Sequence, residues 1–376
     1  MAARFLCLIS LLSLLSLGAC QQAVSSKQNN GKTLISPLDS NLRFLGRVIR
    51  KSEGSVQMIW SATEMQFAFQ GRAASLDIHT KIPSHGKPFS PQCLYRIEVD
   101  GQEKVVGVNA GNQSLMIAEN LLEGSHQVRI TKLGEAETSL TTVKSLHLEG
   151  KLLPLPAPPT RRIEFYGNSI TCGFGNLGTD QDCPFSPSTE NAWQSYAAIA
   201  SRAVQAEHIT ICYSGRGMVQ NYDRSREGTL PDLFDKIDPD NPSLMWSFSS
   251  WIPQLVVINL GTNDFAHENP DQESFVETYT HFVQSLHLYY PEARFVLLSG
   301  PMMNDGNGRR SLSRIKEDLI LIRQKLADDS GIEVGLFHLT TQGPLGYGCA
   351  WHPNLAQHAL NGGELGDFLR KFMNWE

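Results

Sequence analysis

Six residues, Pro154 to Pro159, hold four prolines and separate two different rhythms of sequence. Proline fixes its own φ and has no backbone donor, so such a run neither joins a sheet interior nor continues a helix. It reads as a stiff linker over 154–160. Upstream, "SVQMIWSA", "MQFAFQG", "ASLDIHT", "LYRIEVDGQEKVVGVNAG" and "HQVRITKLG" have strand character. Asp100-Gly101 between two such runs is a hairpin signal. No long helical period interrupts them, which predicts an antiparallel β-sandwich, jelly-roll-like, over 42–153.

Downstream, over 161–376, five β-prone runs alternate with helical patterns: "RIEFYG", "HITICYS", "QLVVINLG", "RFVLLSG" and "IEVGLFHL". "LSRIKEDLILIRQKLADD" places Ile315, Leu319, Ile322 and Leu326 on one helical face. Strands alternating with helices predict an α/β domain, its parallel five-stranded sheet covered on both sides. The apolar run "LVVINL" suits a strand buried on both faces.

With 38 acidic and 32 basic side chains, the chain has no electrostatic footprint for nucleic acid, and no run of like charge marks a binding tail. Its N-terminus is distinct. One Arg precedes an apolar run from Phe5 to Leu17 broken only by serines, the length of a signal-peptide core and short for a membrane span. The run ends in "LGAC", which resembles the bacterial lipoprotein lipobox. That resemblance implies a signal peptide over 1–19, cleavage before Cys20, a lipid on Cys20 as membrane anchor, and a flexible tether over 20–41. An ordinary secretory signal cut nearby is the alternative. Gln21, with no Asp after the cysteine, implies an exported, lipid-anchored protein at the bacterial outer membrane or cell surface. Export permits disulfides. Of the remaining Cys93, Cys172, Cys183, Cys212 and Cys349, the pair close in sequence, Cys172 and Cys183, is expected to bridge. No cysteine spacing resembles a zinc site.

Ligands of open α/β sheets bind beyond the carboxyl ends of the strands. There this chain carries Gly167-Asn168-Ser169, then "YSGRGM", then "NLGTND" with Asn263, and finally "GYGCAWHP" with His352. Acyl transfer needs a nucleophile, a base and oxyanion donors. The blocks "GNSITCGFGN", "SGRGM", "NLGTND" and "WHP", in that order, resemble those of the SGNH or GDSL-type hydrolases. Following a β-sandwich, they are most similar to carbohydrate esterase family 2, the acetyl xylan esterase-like proteins. The resemblance implies a flavodoxin-like SGNH sheet and a serine esterase that removes O-acetyl groups from plant cell-wall xylan or mannan. It needs no metal or cofactor. Ser169 is the expected nucleophile and His352 the base. The Ser169 N–H, the Gly215 N–H and the Asn263 amide form the expected oxyanion hole, and Trp351 is a candidate platform for a sugar ring. Gly217 is the alternative to Gly215.

Two departures stand out. Asn168 occupies the place of the family's Asp, and an amide can still serve the turn. Many relatives carry an acid three positions before the histidine, where this chain has Cys349; nothing acidic lies from Leu339 to Ala359. A Ser–His dyad oriented by a backbone carbonyl is therefore expected, with an Asp from another loop, such as Asp305, as the alternative. The rival functions are a thioesterase or lipase on the same scaffold, and a carbohydrate-binding lipoprotein with a degenerate site.

Overall fold

The computed structural model describes residues 27–29, 32–83 and 91–376. The expected signal peptide and Cys20 lie outside the described residues. Among those described, eleven strands form an antiparallel N-terminal unit. Its longest are β1 (Glu64–Lys81), β2 (Cys93–Val99), β3 (Gly124–Lys132) and β4 (Leu140–Leu153). β3 pairs with both β1 and β2, and β4 pairs with β1. Alternate residues point inward, as the period of two requires: Phe67, Phe69, Leu76, Ile78, Ile97, Val128, Ile130, Leu146 and Leu148 share one buried core.

The second unit is a parallel sheet of β5 (Arg162–Gly167), β6 (Glu207–Cys212), β7 (Leu255–Asn259), β8 (Arg294–Ser299) and β9 (Val334–His338). Its order is β6-β5-β7-β8-β9. This is the flavodoxin-like order, whose topological switch lies between the first and third strands. All five residues of β7 are buried, as expected of a strand covered on both faces. Ile163, Phe165, Leu255 and Val257 meet α2 (Tyr196–Ala203) and α5 (Leu355–Met373) on one side. Tyr166, Val256 and Ile258 meet α3 (Gln272–Tyr289) and α4 (Ser311–Ser330) on the other. The predicted face of α4, Ile315, Leu319, Ile322 and Leu326, is wholly buried. α/β architecture and a preceding antiparallel unit therefore match the expectation. No helix of the described residues is long and apolar enough to cross a membrane.

The two units share buried polar contacts. Arg47 is fully buried, and its guanidinium donates to Glu164 Oε1 at 2.9 Å and to the Tyr166 hydroxyl at 3.0 Å, both on β5. Trp60 Nε1 donates to the Ile237 carbonyl at 2.8 Å. The loop between β3 and β4, residues 133–139, also sinks into the α/β unit. Leu133 packs with Trp193, and Ala136 joins the core that includes Tyr213.

The expected Cys172–Cys183 bridge is corrected. Cys172 pairs with Cys212, and Cys183 with Cys349; Cys93 is free and buried. The reason is sheet register. Gly167 at the end of β5 lies beside Cys212 at the end of β6, and the single turn that follows β5, α1 (Ser169–Cys172), brings Cys172 over that neighbour. The loop carrying Cys183 instead lies against the histidine segment, where the Ala350 N–H donates to the Cys183 carbonyl at 3.0 Å. Proximity along the chain did not translate into proximity in space.

Candidate active site

β5 runs out at Gly167 and the chain turns at once into α1. Asn168, not Ser169, is the N-cap: its Oδ1 accepts the Ile170 N–H at 3.1 Å. The amide thus makes the turn bond expected of it, and Ser169 is left to project its hydroxyl. α1 is one turn long, so a helix macrodipole adds little. Ser169 is only 7% exposed. Its Oγ lies 2.8 Å from His352 Nε2.

His352 is oriented from its other side by a carbonyl. Nδ1 lies 2.9 Å from Ala350 O, so Nδ1 carries the proton and Nε2 is the acceptor. Asp305 and Asp264 are elsewhere. The Asp305 carboxylate accepts from the N–H and hydroxyl of Ser313. Asp264 accepts the N–H groups of Met218 at 2.9 Å, Val219 at 2.7 Å and Gln220 at 3.0 Å. Burial in the cleft pushes the His352 imidazole down to about 4, with the Ala350 and Cys349 carbonyls pulling the other way. Phe174 packs on its ring, centroids 4.4 Å apart.

The carbonyl reaches Nδ1 because the backbone is bent to present it. Ala350 and Trp351 have φ of +52° and +62°, a left-handed region that costs non-glycine residues of order 1–3 kcal/mol each. The Cys183–Cys349 bridge, the Cys349 N–H on Gly175 O at 2.9 Å and the Gly348 N–H on His352 O at 2.7 Å hold the bend. Sequence reasoning did not find Ala350 as the orienting group, and no local signal marks two consecutive left-handed residues that are not glycine.

Ser169, Gly215, Asn263, Trp351 and His352 all line one cleft of about 530 Å³. Gly215 has φ of +77°, where a side chain would be strained, and its N–H and that of Ser169 donate to no acceptor among the described residues. Asn263 Nδ2 donates to Arg216 O at 2.7 Å, which leaves its second N–H available. Gly217 stands apart from the cleft. A Cβ there would lie 2.0 Å from Gln220 O, so it is a turn glycine. Trp351 is 55% exposed and meets Tyr347 edge to face at 5.2 Å. Phe174, Phe265, Met302 and Met303 supply apolar walls, and Tyr222 and Arg309 also line the cleft; none of these was read from the sequence. The candidate metal ligands Glu135, Cys172 and Glu190 lie within 4.8 Å of one another, but Cys172 is bridged to Cys212 and has no thiolate to offer.

Residues 44–158 match the carbohydrate esterase 2 N-terminal family, and residues 165–360 match the GDSL-like lipase/acylhydrolase family. The chain is 33% identical over 337 residues to the cellulase/esterase CelE of Acetivibrio thermocellus, covering 88% of this chain but only 39% of that protein. An acetylxylan esterase / glucomannan deacetylase of Cellvibrio japonicus is 29% identical over 276 residues, 72% of this chain and 74% of its own. Among solved structures, a family two carbohydrate esterase from Clostridium thermocellum, in complex with cellohexaose, superposes with a TM-score of 0.82 at 30% identity. The match covers 89% of this chain and all of that one. The chain belongs to carbohydrate esterase family 2, a family of carboxylic ester hydrolases that carries the GDSL-like lipase/acylhydrolase domain behind its own N-terminal domain.

Proposed function

We propose that the protein is an exported O-acetyl esterase that deacetylates plant cell-wall polysaccharide of the xylan or mannan type through an acyl-serine intermediate. The observation that carries this is the 2.8 Å contact between Ser169 Oγ and His352 Nε2, in a cleft shared with Gly215 and Asn263. Ser169 Oγ attacks the acetyl carbonyl while its proton passes to His352 Nε2. The Ala350 carbonyl accepts the Nδ1 hydrogen throughout. Negative charge grows on the former carbonyl oxygen and meets the N–H groups of Ser169 and Gly215 and the free N–H of Asn263. The C–O bond to the sugar then breaks, and the proton on Nε2 goes to the leaving hydroxyl. Water, deprotonated by His352 Nε2, attacks the acetyl-serine; the acyl–Oγ bond breaks, the proton on Nε2 returns to Ser169 Oγ, and acetate leaves.

The named substrates of the Cellvibrio japonicus relative support an acetylated xylan or glucomannan. Exposed Trp351 beside Tyr347 gives a sugar ring an apolar face at the cleft mouth. Two disulfides favour an oxidising compartment, in keeping with export and a lipid anchor on Cys20.

Protein lacking its first twenty residues, offered 4-nitrophenyl acetate and octanoate beside acetylated xylan and glucomannan, tests the reading. Fast release from the acetate ester, little from octanoate, and acetate from either polysaccharide are expected. Preference for octanoate would replace it with a lipase or thioesterase. Polysaccharide binding without turnover would replace it with a binding protein.

A further inference from the structure

The loop 133–139 of the antiparallel unit is buried, although a buried loop must satisfy every polar group it carries inward. At its centre Glu135 is wholly inaccessible. A carboxylate so placed is costly unless paired and hydrogen-bonded, and an apolar residue would serve packing as well. Its partners lie in the α/β unit. The Ser214 N–H donates to Glu135 Oε2 at 2.8 Å, and the Ser214 hydroxyl donates to Oε1. Both oxygens therefore grip one residue, and the next peptide nitrogen is that of Gly215. Cys172 Sγ, at the end of the helix that begins with Ser169, lies 3.8 Å from Oε2. The Cys172–Cys212 bridge closes the ring between that helix and the strand leading to Ser214.

Glu135 is itself held rigidly. Its N–H donates to Glu190 Oε2 at 3.1 Å, and its carbonyl accepts from Lys132 Nζ at 3.1 Å and the Thr138 hydroxyl at 2.9 Å. Burial raises its carboxyl above the ordinary glutamate range, Glu137 adds to the rise, and the two Ser214 donors and the adjoining Glu190 carboxyl oppose it. Those donors are matched to the ionised form, which has only acceptors to offer.

We propose that Glu135 is a positioning residue for the esterase reaction: it reaches from the antiparallel unit to fix the Ser214–Gly215 peptide, so that the Gly215 N–H points at the developing oxyanion. This rests on the reading of Gly215 as an oxyanion donor. It also assigns the N-terminal unit a part in catalysis distinct from any sugar binding. Oxyanion donors act through preorganisation, and a misplacement of about 1 Å can cost ~10² in rate.

The test compares Glu135→Gln, Ser214→Ala and, as a control for the contact between the units, Arg43→Met, which removes the Arg43–Glu207 ion pair without touching Ser214. Glutamine keeps the shape but removes the charge. Its carbonyl can still accept the Ser214 N–H, its NH2 can meet Ser214 Oγ only if that hydroxyl turns away to become the acceptor, and the charge-assisted grip is lost. On 4-nitrophenyl acetate, E135Q is expected to lower kcat by ~10–100-fold, with KM within about twofold, because the lost interaction exists only in the transition state. S214A is expected to lower kcat in the same sense, the double variant to fall short of the product of the two, and R43M to keep wild-type kcat. Hydrogen exchange at the Ser214 amide, which donates to Glu135, is expected to quicken in E135Q. Folded E135Q with kcat within about threefold of wild type would overturn the proposal. So would a loss matched by R43M. Should E135Q not fold, an unchanged kcat in S214A would overturn it from the other side of the same contact. Should the wild type lack esterase turnover, the proposed function fails separately, and unchanged exchange at the Ser214 amide in E135Q would overturn the positioning role.

Discussion

Ser169 and His352 face each other at 2.8 Å, and each has a single-residue consequence. Ser169→Ala is expected to lose more than ~10³ in turnover with the fold intact, measured as acetate release beside circular dichroism. Asn263→Ala should cost ~10²–10³ in kcat, the value of one oxyanion donor. Asp305→Asn should leave kcat within about threefold, against the ~10⁴ of a triad carboxylate, because its carboxylate serves Ser313 and not His352. The pH profile follows from the same environment. In the proposed mechanism the neutral imidazole is the base, and burial depresses its folded-state pKa to about 4. kcat/KM should therefore be full at neutral pH and fall as pH drops through that value, with a midpoint well under the free-histidine 6.5. A midpoint at or above 6.5 would place an anion near Nδ1, contrary to the Ala350 carbonyl found there.

At the scale of an element, the turn 348–352 does the orienting. Its two left-handed residues relax unless tied, and the Cys183–Cys349 bridge is one tie. Cys183→Ser with Cys349→Ser is expected to lower kcat by ~10–100-fold through a misdirected imidazole. The same double variant should reduce stability by up to about 5 kcal/mol on the loop-entropy model, since the bridge closes a long loop. Denaturant unfolding and steady-state kinetics on one preparation check both.

For the whole molecule, the buried Arg47–Glu164 pair fastens the two units. Arg47→Met would strand the Glu164 carboxylate between them and should destabilise by about 3–5 kcal/mol, visible in urea unfolding. The double variant with Glu164→Gln should recover much of that loss, because the uncompensated charge, more than the missing contact, carries the penalty. The buried loop 133–139 makes the units interdependent in the same way, so that a change in the N-terminal unit reaches the catalytic rim.

The sequence by itself determined the periodicities, and with them the architecture. Period-two runs before Pro154 and strand–helix alternation after Thr160 are local patterns of burial, legible wherever one face must be apolar. The apolar stripe of Ile315, Leu319, Ile322 and Leu326 is such a pattern, and it is buried as read. The four blocks could be placed at strand ends because a parallel sheet sets all its carboxyl ends on one rim. What tertiary structure alone decided are the contacts between residues far apart in the chain. Cys172 found Cys212 through strand register rather than Cys183 through nearness. Ala350 became the partner of His352 through a strained backbone that no side chain announces. Glu135 met Ser214 across the boundary between the units. Local periodicity says which face of an element is covered; it says nothing of which polar group in the covering element will meet it, because that is settled only when both units close and every buried donor must find an acceptor.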